Sequence, residues 1–244
     1  MLQECITHLR GRVTQGLNAA GAILDDNDFL LRGEVDGICI FSGGISGKAK
    51  CNVLEAFGKA LHGAQDFYSH SNWVDVTSRP PSVLNPPGLN LTAPSYILDF
   101  RTTAPVSPPT DLSTGCFAGL ISDKIPGEKG MLADCRGRVT HNTLNKDNGK
   151  IDTVTGDISD PTTPRGKVNG NFERAVRAAV IETQRQWKDF REELKVWYGA
   201  RRANLMICAL THDDPVRDCH GRKVGIVVNG SGSKTVTRQE KETG

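Results

Sequence analysis

The sequence predicts a mainly α fold, a helical bundle with long Pro/Gly-rich loops and at most short strands. Two observations predict it. Apolar residues recur every three to four positions in four segments, the period of one helix face. Eleven of the 12 prolines fall between residues 76 and 168, where they interrupt helices and withhold ladder donors. At 244 residues, 37% of them hydrophobic, the chain is long enough to bury a core.

Each element has its own signal. Residues 1–24 carry Leu2, Cys5, Ile6, Leu9, Val13, Leu17, Ala20 and Ile23 at helical spacing, and Asp25-Asp26-Asn27-Asp28 stops them. A Gly-rich turn at 42–47 precedes a second helix over 48–72, with Val53, Leu54, Phe57, Ala60, Leu61, Ala64 and Phe67 on its apolar face. Residues 76–168 read as a loop-rich insertion with a short strand at 95–100. A third helix spans 169–198, with Phe172, Val176, Ala179, Val180, Trp187, Phe190, Leu194 and Trp197 inward. A fourth covers 200–211 and ends at His212-Asp213-Asp214-Pro215. The whole reads as one helical domain over 1–228, followed by a polar, disordered tail at 229–244.

Composition excludes some partners. Thirty basic residues against 28 acidic ones leave a net charge of +2, no electrostatic footprint for duplex nucleic acid or an anionic bilayer. The longest apolar run, 205–210, falls far short of the ~18–20 residues of a transmembrane segment. Met-Leu-Gln-Glu-Cys at the start lacks a basic region followed by an apolar stretch, which points to a soluble, cytoplasmic protein. The cysteines pull the other way. Cys39/Cys51, Cys116/Cys135 and Cys208/Cys219 bracket short segments, a placement that suits disulfides and a secreted origin; reduced thiols packed as small hydrophobes are the alternative.

The chemistry concentrates on the second helix. His62, Asp66 and His70 stand at i, i+4 and i+8, on one face. A His and a carboxylate one turn apart suit a divalent cation such as zinc. His62 and His70 are about 12 Å apart along the axis, too far for one ion. The cation is therefore expected on His62 and Asp66, with His70 at a second ion or at substrate. His141, beyond the Pro-rich loops and just before Asn145-Lys146-Asp147, is expected to close the pocket and add a ligand. The stripe is expected to line an internal pocket walled by Phe67, Tyr68 and Trp73, with Glu55 and Lys59 on the opposite, polar face. Lys146 and Arg138 are available to offset phosphate charge. A buried hydrogen-bonded ladder of the same His and Asp side chains, with no ligand, is the structural alternative. His8, His212, His220 and the acidic run at 25–28 read more simply as capping or surface residues.

The stretch Gly58-Lys-Ala-Leu-His-Gly-Ala-Gln-Asp-Phe-Tyr-Ser-His-Ser-Asn-Trp73 resembles the signature of the HET-C heterokaryon-incompatibility family. Thr140-His141-Asn-Thr-Leu-Asn145-Lys146-Asp147 is similar to a second block of that family. HET-C-like proteins resemble, more distantly, the zinc-dependent phospholipase C and single-strand nuclease group, helical enzymes with zinc ligands on His-x-x-x-Asp helices. The resemblance covers roughly residues 50–73 and 136–187. It implies a helical fold with zinc on the His62/Asp66 helix. Those enzymes also use an His-x-x-x-Glu helix, whose best-placed match here is Asn169-x-x-x-Glu173, with Asn where they have His.

Three functions are compatible with these residues. One is a metal-dependent hydrolase of a phosphoester, lipid or related small molecule, with Asp66 or Asp147 assisting proton transfer. Another is a metal-free cyclase or isomerase of specialised metabolism, with Asp66, His70 and His141 as acid/base groups. The third is a non-catalytic HET-C-like interaction protein.

Overall fold

A computed structural model describes residues 2–39, 41, 47–77, 80–82, 85–116 and 139–219. It is about 53% helical with a single two-stranded sheet among the described residues, so the fold is mainly α. In chain order come α1 (Leu2–Ala20), α2 (Arg32–Val35), α3 (Ala49–Ser69), α4 (His141–Leu144), the strands β1 (Lys150–Ile151) and β2 (Ile158–Ser159), α5 (Asn171–Thr211) and α6 (Pro215–Asp218). Among the described residues, no helix is long and apolar enough to cross a membrane.

Helix α3 is the central element, packed between α1 and α5. Its apolar stripe Val53, Phe57, Ala60, Ala64 and Phe67 meets Ile6, Val13 and Leu17 of α1 and Phe190 and Leu194 of α5. Phe57 seats its ring 4.7 Å from that of Phe190 and 5.8 Å from that of Trp187, within the range of favourable aromatic pairs. The expected third and fourth helices both form, within α5, and meet at a kink at Gly199, whose φ of 77° is one that L side chains rarely adopt.

Two expectations fail here for one physical reason. Residues 95–100 do not form a strand; Tyr96–Leu98 is a 3-10 turn. On α5, Val180 and Trp197 face solvent, whereas Glu182, Gln186 and Asp189 are buried. Glu182 and Gln186, with Arg185, satisfy the turn's backbone, while Asp189 pairs with Arg185 and Arg101 at 3.2 and 3.3 Å. The Ser95 amide donates to Glu182 Oε2 at 3.0 Å, and the Leu98 carbonyl accepts from Arg185 and Gln186, each at 2.8 Å. Tyr68 Oη donates to Glu182 Oε2 at 2.7 Å. The turn thus docks on side chains, and a strand ladder is unnecessary.

Polar side chains also organise the loops that follow α3. Asn72, fully buried, donates to the Pro87 and Asp111 carbonyls at 2.7 and 2.9 Å and accepts from the Ser113 amide at 2.8 Å. Trp73 Nε1 donates to the Thr92 carbonyl at 2.9 Å. Cys39–Cys51 and Cys208–Cys219 are disulfides, as their spacing suggested, and Cys5 is free and exposed. The Gly-rich turn at 42–46, Cys135, Arg138, His220 and the tail at 229–244 lie outside the described residues.

Candidate metal centre at the end of helix α3

Helix α3 ends at His70, whose amide still donates to the Asp66 carbonyl at 2.8 Å. The chain then turns away, and the His70 side chain, 16% exposed, points toward the segment 139–147. That segment is held by a short bridge strand. The Gly115 amide donates to the His70 carbonyl at 3.0 Å; next to it, Cys116 donates to Val139 at 2.8 Å and accepts from the His141 amide at 2.9 Å. Gly115 lies directly on His141: a Cβ there would be 2.6 Å from the His141 Cα. Only glycine allows that approach. The Thr140 hydroxyl accepts from the Thr143 amide at 3.3 Å and so starts α4, which sets His141 at its first position.

The result is a cluster of three ligating side chains. The His70 and His141 rings are 3.9 Å apart and tilted by 31°. His70 Nε2 lies 3.0 Å from Asp147 Oδ2, and one ligating atom from each of His70, His141 and Asp147 lies within 4.8 Å of the others. Burial holds the His70 imidazole below its usual pKa, although Asp147 and Asp66 pull it upward; His141 and Lys146 add to the depression. A neutral imidazole is the form that ligates a metal. His70 Nδ1 is buried with no hydrogen-bond partner among the described residues.

Lys146 supports the cluster from beneath. Its side chain is fully buried, and Nζ donates to the Ser71 and Leu144 carbonyls at 2.9 and 2.8 Å, with Asp75 Oδ1 at 3.2 Å. Burial lowers its pKa to about 8, against the pull of Asp75. Arg165 closes the same buried group, its Nε 2.6 Å from Asp75 Oδ2. Lys146 is therefore a structural cation tying the end of α3 to α4, not a surface group awaiting phosphate.

The structure divides the expected site residues. His70, His141 and Asp147 come together. His62 and Asp66 pair with each other at 3.1 Å with side chains 78% and 47% exposed, and neither joins the cluster. The expectation of an internal pocket along the whole stripe therefore fails: α3 turns the His62 end of that face to solvent, and only its last residue meets the loops. Phe67, Tyr68 and Trp73 belong to the hydrophobic core. Asn169 has a φ of 47° and donates to the Val76 carbonyl at 3.3 Å, while Glu173 is ion-paired with Arg177 at 2.8 Å.

The remaining candidates have structural partners. His8 accepts from Arg12 Nε at 3.3 Å on the surface of α1, Asp28 pairs with Arg202 at 2.5 Å, and Asp214 caps α6. His212 lies beside Cys208 and Cys219, but those sulfurs are spent in a disulfide, which leaves the imidazole as the sole ligand of that group. What the sequence did not bring forward is the 113–116 bridge and the Asp75–Lys146–Arg165 group. The signal for the first was the single glycine at 115.

Two clefts flank the cluster. One, about 470 Å³, is lined by Asp147, Asn148, Lys150, Asp160 and Thr162. The other, about 600 Å³, is lined by Thr77, Ser82, Asn85, Asn142, Thr143 and Arg165. Compared with known proteins, the chain matches no family model, no curated protein and no solved structure.

Proposed function

We propose that the chain is a hydrolase of phosphoesters or related small molecules, working at a divalent cation held by His70, His141 and Asp147. The convergence of their ligating atoms within 4.8 Å carries this reading. Two imidazoles and one carboxylate suit zinc, and three protein ligands leave the fourth position for water, the arrangement of catalytic rather than structural zinc. Bound there, the cation would supply Lewis acidity and an acidified water. The chain's own groups do the rest. Asp147, 41% exposed, borders the 470 Å³ cleft and orients whatever enters it. Lys150 at that cleft offers charge to a phosphoryl oxygen. Asp66, one turn before His70, is the nearby carboxylate for proton transfer. The HET-C-like blocks, which contain all of these ligands, agree with the zinc reading. The disulfides favour an oxidising compartment.

Metal analysis of protein purified without chelator tests this, together with turnover of bis(p-nitrophenyl) phosphate. About one zinc per chain is expected, lost together with turnover in His141→Ala and Asp147→Asn. A wild-type chain that takes up no divalent cation overturns it. The 3.0 Å contact between His70 and Asp147 supports a second reading, a metal-free acid/base pair of a cyclase or isomerase. Under that reading, chelator leaves turnover intact.

A further inference from the structure

The buried group beneath the cluster carries unequal charge. Lys146, Asp75 and Arg165 have side chains 0%, 0% and 3% exposed, so two cations share one carboxylate out of water. Such an imbalance is costly unless another anion comes close. Asp147 acts on Lys146 at longer range, but it is engaged with His70 and borders the other cleft. Of the three, Arg165 reaches the 600 Å³ cleft. Arg165 is its one charged lining residue, and no carboxylate lines it among the described residues.

Arg165 spends three N–H groups on Asp75, Asn85 Oδ1 and the Pro86 carbonyl, at 2.6, 3.1 and 3.1 Å. A guanidinium has five, so each terminal nitrogen keeps one hydrogen for a ligand. Thr77, Ser82, Asn142 and Thr143 line the same cleft, the Thr143 hydroxyl already sharing a hydrogen bond with that of Thr140 at 3.0 Å. Thr77 Oγ1 already accepts from the Gly88 amide at 3.1 Å, which leaves its own hydrogen to donate outward. A planar, fully ionised guanidinium with hydroxyl donors is suited to a multidentate oxyanion. The cleft is larger than a bare anion, and Val168 and Pro164 give it apolar wall for an organic remainder.

We propose that this cleft binds a phosphorylated small molecule, with its phosphate on Arg165 and its organic part against Val168 and Pro164. The site lies across α4 from the His70–His141–Asp147 cluster and does not depend on a metal there.

Isothermal titration of the full chain tests it, with inorganic phosphate, phenyl phosphate and phenol as probes. Phenyl phosphate is expected to bind at least tenfold more tightly than inorganic phosphate, and phenol not at all. Arg165→Gln disturbs the buried group and risks misfolding, so the deciding variant is Asn142→Asp, which sets a carboxylate at the exposed rim. It should weaken phenyl phosphate at least tenfold, measured with chelator present so that the His/Asp cluster holds no ion, whereas His62→Ala should leave binding unchanged. The proposal is overturned if neither phosphate probe binds, or if phenyl phosphate binds no better than inorganic phosphate. It is equally overturned if Asn142→Asp binds like the wild type, or if chelator abolishes binding, since the anion then sits at the His/Asp cluster.

Discussion

Gly115 and His141 meet backbone to backbone: a Cβ on Gly115 would stand 2.6 Å from the His141 Cα and 2.8 Å from its nitrogen. The same glycine donates its amide to the His70 carbonyl at 3.0 Å. One residue thus sets the distance between two imidazoles that are far apart in sequence. Gly115→Ala should push α4 outward, lowering zinc affinity at least tenfold and stability by about 1–3 kcal/mol, the usual cost of overpacking. Zinc titration beside a denaturant melt checks this; unchanged affinity would detach Gly115 from the centre.

His62 serves as a contrast. Its side chain is 78% exposed and its partner is Asp66, one turn away. His62→Ala should alter stability by no more than about 0.5 kcal/mol, as exposed ion pairs contribute little. Zinc content should stay at the wild-type value. Loss of zinc in this variant would return the ion to the His62/Asp66 end of the stripe.

Asp75 is the shared anion of Lys146 and Arg165, all three buried. Asp75→Asn keeps the shape and removes the charge, which strands two cations. A destabilisation of about 3–5 kcal/mol is expected. Urea melts of the two proteins measure it.

Tyr68 predicts an alkaline limb of the stability curve. Burial, reinforced by the Glu182 carboxylate, raises its pKa above the ordinary value of 10.0. The folded chain therefore keeps the phenol proton at a pH where the unfolded chain releases it. The contribution is complete below pH 10 and declines as pH rises beyond it, by about 1.4 kcal/mol per pH unit. Tyr68→Phe should be less stable at neutral pH, because Glu182 loses a donor, yet show a shallower loss between pH 10 and 11. Parallel slopes for the two proteins would contradict this.

The Cys208–Cys219 bridge closes a loop of sequence separation 11. Cross-linking so short a loop restricts the unfolded chain by about 2–3 kcal/mol. Replacing both cysteines by serine should lower stability by that amount, with zinc content unchanged, because His212 alone makes no site.

The helical class and the main helices were legible in the residues themselves, since a three-to-four residue apolar period has one way to bury its face. Local spacing placed the break before residue 200 and offered Cys39–Cys51 and Cys208–Cys219 as pairs, while the choice between bridges and reduced thiols fell to the tertiary structure. The sequence also singled out His70, His141 and Asp147, as chemically capable groups inside two distinctive blocks. Which of them meet was decided by tertiary structure alone. Helical periodicity places His62, Asp66 and His70 on one face, but says nothing of what covers that face, and the covering comes from residues 113–116 and 139–147. For the same reason Val180 and Trp197 face outward while Glu182 and Gln186 are buried. Their partner is the backbone of a loop that reaches α5 from far along the chain, and its unsatisfied amides and carbonyls, not hydropathy, selected the buried side.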